Sequence, residues 1–258
     1  MPTTLLEGLE AQRAASSPLV KNDHYLSLLH AQPGERVVDV GCGGGWLCRR
    51  VAPLLAPDGY VVGVDSSAVA IELASTHPPI VSPGVLRFEC ADATTLPFAD
   101  GEFDAALCIS MLAFCAEPDR ALAEVRRVLR PGGRLVAASS DEDTRLFNAR
   151  DRDLGRRLQR AIGNRTRDPW AGRRLNHLVV QAGYRVIREM VVCEIERHFQ
   201  PGLAGYTLAH GLRSYLITSG GVSVEDYEGW LAELRQTEWE GSYCYGVMTF
   251  ACIAEREI

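Results

Sequence analysis

Residues 37–46 read VVDVGCGGGW: a β-branched run closing on an acid, then a glycine turn, then the start of a helix. Gly41, Gly43 and Gly45 let the backbone turn tightly and approach a ligand without Cβ clashes. The N-terminus of the helix that follows supplies N–H donors with no partner inside the helix. Together these features predict a nucleotide-like ligand at the turn. The dinucleotide fingerprint GxGxxG does not fit, because its last position falls on Trp46 counted from Gly41 and on Cys48 counted from Gly43. A nicotinamide-linked oxidoreductase is therefore disfavoured.

Outward from the turn, short β-rich runs alternate with helix-period segments, the pattern of a mostly parallel sheet with helices on both faces. The strands are expected at 36–40, 60–64, 85–89, 103–109 and 134–139. Ala121, Leu122, Val125, Val128 and Leu129 repeat at helical spacing, and Pro131-Gly132-Gly133 is expected to stop that helix. Asp65 closes the second strand, where an acid can accept hydrogen bonds from both ribose hydroxyls, and Ser66 or Ser67 caps the next helix. Asp92 follows the third strand, within reach of an exocyclic amine such as that of adenine. Three acids at consecutive strand ends would line one rim.

After Asp141 an Arg-rich polar stretch reads as surface helix and loop, a possible lid. A helix at 172–183 and a strand at 185–196 follow. Residues 201–239 read as helical, and 243–253, apolar on both alternating faces, as a buried strand. The expected division is an N-terminal helical cap (1–34), an α/β core (35–200 and 240–258) and a helical lid inserted before the last strand (201–239).

Composition narrows the function. Charged residues are 23% and hydrophobic ones 47% of 258, which excludes disordered, collagen-like and coiled-coil chains. The net charge of −6 argues against broad binding to nucleic-acid phosphate. The longest nearly apolar run, 105–116, is short of the roughly 18 residues a spanning helix needs, so no membrane span is expected. The start, MPTTLLEGLEAQR, lacks a basic region followed by an apolar block, and a cytoplasmic location is expected. The 8 cysteines form no CxxC pair. They read as reduced core thiols, and no metal site is expected. A soft-substrate site at Cys108 and Cys115 is the alternative.

DVGCGGG (39–45), GVDSS (63–67), ADATTLPFADGEFD (91–104) and VLRPGGRL (128–135) resemble, in order and spacing, the class I S-adenosylmethionine-dependent methyltransferases. The likeness is greatest to the group that includes ubiquinone, menaquinone and many natural-product methyltransferases. It covers residues 35–138 and implies a doubly wound Rossmann-like fold with S-adenosyl-L-methionine as cofactor and S-adenosyl-L-homocysteine as product. By the resemblance, Asp39, Gly41, Gly43, Gly44 and Gly45 surround the methionine part, Asp65 the ribose, and Asp92 with Ala93 the adenine. Tyr25, Cys42, Ser66 and Ile109 complete the expected cofactor set. Family members often carry Ser or Thr where Gly44 and Ile109 stand, so those side-chain contacts are missing.

The implied chemistry is in-line methyl transfer to an O, N, C or S nucleophile. There the protein mainly aligns and desolvates the reactants. An oxygen or nitrogen acceptor also calls for a base, for which histidine is best suited near neutral pH. His198 and His210, in the segment expected to cover the site, are the candidates. Tyr206, Tyr215, Trp230 and Trp239 either wall an aromatic substrate or form the lid core, and His24 with Tyr25 would close over the cofactor. Arg156, Arg157, Arg160, Arg165, Arg167, Arg173 and Arg174 would meet an anionic substrate or make a solvated basic face. No Asn-Pro-Pro-Tyr-like motif follows the fourth strand and no Pro-Cys pair occurs, so DNA is not expected as substrate. The expected substrate is a small aromatic or apolar metabolite, handled by a monomer or homodimer. The alternatives are a protein or RNA methyltransferase, and a cofactor-binding protein that acts as a scaffold or rearrangement catalyst.

Overall fold

A computed structural model describes residues 21–76 and 84–257. Helix α1 (Lys21–Leu29) precedes strand β1 (Arg36–Val40), helix α2 (Trp46–Leu55), β2 (Tyr60–Asp65), α3 (Ala68–Thr76), β3 (Leu86–Cys90) and β4 (Phe103–Ile109). There follow α4 (Pro118–Val128), β5 (Leu129–Ser140), a single 3-10 turn at Glu142–Thr144, β6 (Leu146–Phe147), α5 (Arg152–Gly163) and α6 (Ala171–Gln181). The chain continues through β7 (Tyr184–Glu196), α7 (Ala204–Gly211), α8 (Arg213–Thr218), α9 (Val224–Trp239) and β8 (Tyr245–Arg256).

The strands join one sheet in the order β3-β2-β1-β4-β5-β8, with β7 along the far edge of β8. Strands β1 to β5 pair in parallel, and β8 runs antiparallel to β5, β6 and β7. Val37, Val38, Val61 and Val62 are fully buried, as strands covered on both faces require. The strand order reverses direction between β1 and β4, and the rim of parallel strand ends there positions the site.

Helix α4 buries the predicted stripe of Ala121, Leu122, Val125 and Val128. Its other face holds the loop before β4. The Arg127 guanidinium donates to Leu96 O at 2.9 Å and Phe98 O at 2.7 Å, and Glu124 accepts from Leu96 N at 2.9 Å. The expected stop at Pro131-Gly132-Gly133 lies inside β5. The helix ends at Val128, and the pairing jumps from Phe103↔Leu129 to Ala105↔Arg134. Pro131 has no N–H for a ladder and Gly132 has φ +71°, so these residues form a bulge.

A separate apolar cluster combines Leu208, Leu216, Tyr227, Trp230 and Leu234 with Leu154, Leu158 and Ile162 of α5. The Arg-rich stretch thus turns its apolar stripe into the same core as residues 204–239. Helix α1 docks on the sheet through Arg134 of β5, which donates to Leu29 O and to both oxygens of Glu35.

Candidate functional site

The glycine turn leaves β1 with Gly41 at φ +78°, Gly43 at +56° and Gly45 at +77°, a region that L side chains enter at a cost. A Cβ on Gly41 would lie 2.4 Å from Met111 Cβ, and one on Gly45 would lie 2.4 Å from the Phe88 ring. Met111 and Phe88 therefore crowd the turn so closely that only glycine fits at positions 41 and 45. Gly41 and Cys42 donate their N–H groups to Val64 O at 2.7 and 3.0 Å, locking the turn to the end of β2.

Asp65 is held from two sides. Its Oδ2 accepts from Gly43 N at 3.0 Å and its Oδ1 from Ser67 N at 2.9 Å, so the carboxylate bridges the glycine turn and the start of α3. Ser67, not Ser66, caps that helix, its Oγ accepting from Ala70 N at 3.3 Å; Ser66 is exposed. Asp39 is buried and accepts the Cys48 thiol at 3.2 Å. Burial, the Cys42 side chain and the Asp39 charge push that thiol well above its ordinary pKa. At the tip of β3, exposed Asp92 closes an Asx turn, its Oδ1 accepting from Thr94 N and Oγ1, both at 2.8 Å. Those two bonds hold its carboxyl below the ordinary range.

The rim therefore carries Asp92, Asp65 and the glycine turn in sequence, on the tips of β3, β2 and β1. Ile109, ending β4, is buried in one cluster with Tyr25, Cys42 and Leu47. Ala93 packs on the neighbouring core. The His24 side chain lies outside the described residues. Among those residues no group of three or more His, Cys, Asp or Glu side chains is placed to hold a metal ion.

The two histidines sit apart from the rim, with no hydrogen bond or ring contact to it. His198 is exposed, its Nδ1 3.2 Å from Glu238 Oε1. His210 stacks on Tyr206, ring centroids 3.9 Å apart, and on Phe199. It donates Nδ1–H to Tyr206 O at 2.9 Å. Tyr206, Phe199 and Tyr243 lie in or against the separate apolar cluster around Leu208 and Leu234, and Trp230 is wholly buried there. Trp239 is 82% exposed.

Two features escape sequence reading. Ser110, directly after β4, has φ +61°. Beyond β5, Glu142 is buried against Arg145, which donates to both of its oxygens at 2.8 Å, and Arg165, which donates at 3.0 Å. Burial alone would raise the Glu142 carboxyl, but the guanidiniums of Arg145 and Arg165 hold it at about 2. Arg165 also lies over the Phe114 ring. Most of the arginine run is internally paired: Arg173 with Asp141, Arg174 with Asp168, Arg157 with Asp226 and Arg156 with Asp153.

Residues 38–137 match a family described as a methyltransferase domain. That stretch, from β1 to β5, is similar to a methyltransferase domain. The methyltransferase fold carries its glycine turn, Asp65 and Asp92 on adjacent strand tips. A 37.1 kDa transposon protein of Streptomyces fradiae is 37% identical over 176 residues, 68% of this chain and 50% of that protein. A demethylmenaquinone methyltransferase of Symbiobacterium thermophilum is 33% identical over 120 residues, 46% of this chain and 47% of that enzyme. The chain spans about half the length of these curated relatives. The crystal structure of the [4+2]-cyclase SpnF superposes with a TM-score of 0.58 over 92% of this chain and 80% of that one, at 23% identity, a likeness of fold. No helix among the described residues is long and apolar enough to cross a membrane.

Proposed function

We propose that this methyltransferase domain binds S-adenosylmethionine along the β3-β2-β1 rim and directs its methyl group to O, N or C of a small aromatic or apolar metabolite. The observation that carries the proposal is Asp65, its carboxylate fixed by the N–H groups of Gly43 and Ser67 beside a turn with no room for a side chain at Gly41 or Gly45. The residues fit the cofactor. The cradle admits close backbone approach, Asp65 retains acceptor lone pairs for ribose hydroxyls, and Asp92 Oδ2 bonds to no described residue. Asp39, Gly41, Gly43, Gly44 and Gly45 would surround the methionine part, with Cys42, Ser66, Ala93, Ile109 and Tyr25 around them. When bound, the cofactor supplies an activated methyl group with its own leaving group.

The chain's own part is to orient the acceptor and exclude water. Residues 201–239 form the lid, sharing an apolar core with helix α5, over a domain built from 35–200 and 240–258, with residues 1–34 as a cap, of which those before Lys21 lie outside the described residues. Where the acceptor is a hydroxyl or amine, a histidine takes its proton. His210 is the better formed of the two candidates, because donating Nδ1–H to Tyr206 O fixes the tautomer that leaves Nε2 as the basic nitrogen. His198 is already engaged with Glu238. The protein is proposed to act in the cytoplasm on a small molecule, as a monomer or homodimer. A cofactor-bound protein that rearranges its substrate without methylating it is the second reading, favoured by the fold shared with a cyclase.

Calorimetry with S-adenosylmethionine and S-adenosylhomocysteine tests the proposal. Micromolar binding weakened at least tenfold by Asp65→Ala, about 1.4 kcal/mol, is the expected result, and absence of binding overturns it. Transfer of labelled methyl to an aromatic or quinone-like panel then separates the two readings.

A further inference from the structure

Cys42 stands inside the glycine turn and Cys48 near the start of α2, and their side chains converge. Both sulfurs lie 2.9 Å from the point that a Cβ on Gly63 of β2 would occupy, so the missing side chain at Gly63 leaves one spot to two thiols. The Cys42 side chain is also a hydrogen-bonding neighbour of the Cys48 thiol, which donates to Asp39 Oδ2 at 3.2 Å. Cys42 is 4% exposed and Cys48 not at all, so a small reagent meets Cys42 first. A thiol in contact with a second thiol is the arrangement in which oxidation ends at a disulfide, because the neighbour captures the sulfenic acid before it oxidises further.

We infer that Cys42 and Cys48 are a modification site, a thiol pair that a peroxide closes into a disulfide, and that closure abolishes cofactor binding at the glycine turn. The first half rests on the placement of the sulfurs; the second rests on the cofactor assignment proposed above. Peroxide transfers one oxygen to the Cys42 sulfur, giving a sulfenic acid and one water. The Cys48 sulfur then attacks that sulfur and the S–O bond breaks. The Cys48 proton passes to Asp39 and on to the departing hydroxide, which leaves as a second water. Two thiols and one peroxide thus become one disulfide and two waters. Cys48, kept protonated by burial, needs such a base to react. Closing the bond brings the sulfurs to about 2.05 Å and draws Cys42 toward α2. Its movement pulls the Cys42 N–H off Val64 O and the Gly43 N–H off Asp65 Oδ2, so the turn and Asp65 lose the register they share. By the same coupling, bound cofactor holds the thiols in their reduced places.

The test exposes the native chain and Cys42→Ser to hydrogen peroxide without denaturant, blocks remaining thiols with iodoacetamide, and weighs the tryptic peptides. Affinity for S-adenosylhomocysteine is measured before exposure, after it, and again after dithiothreitol. Both cysteines fall in the peptide of residues 37–49. In the native chain that peptide is expected to escape alkylation and to weigh two hydrogens less. Affinity should fall roughly tenfold and return with dithiothreitol. Cys42→Ser should stay within about twofold of its own starting affinity, and S-adenosylhomocysteine present during exposure should slow closure in the native chain. Should the variant bind too weakly to read, the peptide mass and the reversal by dithiothreitol decide. A peptide that stays alkylated while the exposed Cys90 and Cys193 react overturns the inference. So does a disulfide that leaves affinity unchanged, or an equal loss in the variant. A reduced native chain with no affinity for S-adenosylhomocysteine instead overturns the cofactor assignment, and the peptide mass still judges the thiol pair.

Discussion

At Gly45 a methyl group would meet the Phe88 ring at 2.4 Å in a backbone with φ +77°. Gly45→Ala is therefore expected to cost about 3 kcal/mol, adding left-handed strain to overpacking, and a urea midpoint with unchanged slope checks it. Glu142 gives a prediction of opposite character. Its carboxyl is held at about 2 in the folded chain, below its unfolded value, so its ion pairs stabilise the fold fully above about pH 4.5. That contribution fades as the pH falls toward 2. Glu142→Gln should flatten the pH dependence of stability across that window while costing about 3 kcal/mol near pH 7; equal acid slopes in native and variant would count against the account. These residues also show where sequence stops being informative. The glycine turn was legible because glycine is the residue that left-handed turns favour. Ser110 adopts the same region with no local signal, and Glu142 meets Arg165 across 23 positions that no periodicity links.

Among the elements, β1 and β2 were readable because burial on both faces imposes valine runs, and α4 because its apolar residues recur at helical spacing. Boundaries were less so. Pro131-Gly132-Gly133 carries the same residue types whether it ends a helix or bulges a strand, and the Phe103 to Ala105 register jump decides for the bulge. Arg127 shows how an element controls a loop it does not belong to. Its guanidinium holds the carbonyls of Leu96 and Phe98 and the Asp100 carboxylate. Arg127→Ala is expected to leave the sheet intact but to lower stability by about 1–2 kcal/mol. Faster amide exchange confined to residues 96–102 is the measurement, and protection unchanged from the native chain would contradict it.

For the whole molecule, helix α5 and residues 204–239 have their own core around Trp230 and Tyr227, distinct from the two clusters that flank the sheet. Helix α5 and residues 204–239 should therefore open as one cooperative unit, below the free energy that unfolds β1, β4 and β5. Native-state hydrogen exchange checks this, and equal opening energies in this unit and the sheet would refute it. The membership of this cluster was only half legible. The aromatic residues of 201–239 announced a core, whereas the arginines of α5 masked the stripe of Leu154, Leu158 and Ile162 that completes it. Strand β8 adds a matter of timing. It follows β7 in the chain yet lies between β5 and β7 in the sheet, and it contributes Tyr245, Ala251 and Cys252 to all three clusters. While the ribosome has not yet delivered residues 245–256, β5 is paired on its β4 edge alone and β7 lacks its partner β8, so bare ladders are available to other nascent chains. A stalled or prematurely stopped message for this protein thus yields a sticky intermediate needing chaperone cover, rather than a smaller version of the same fold.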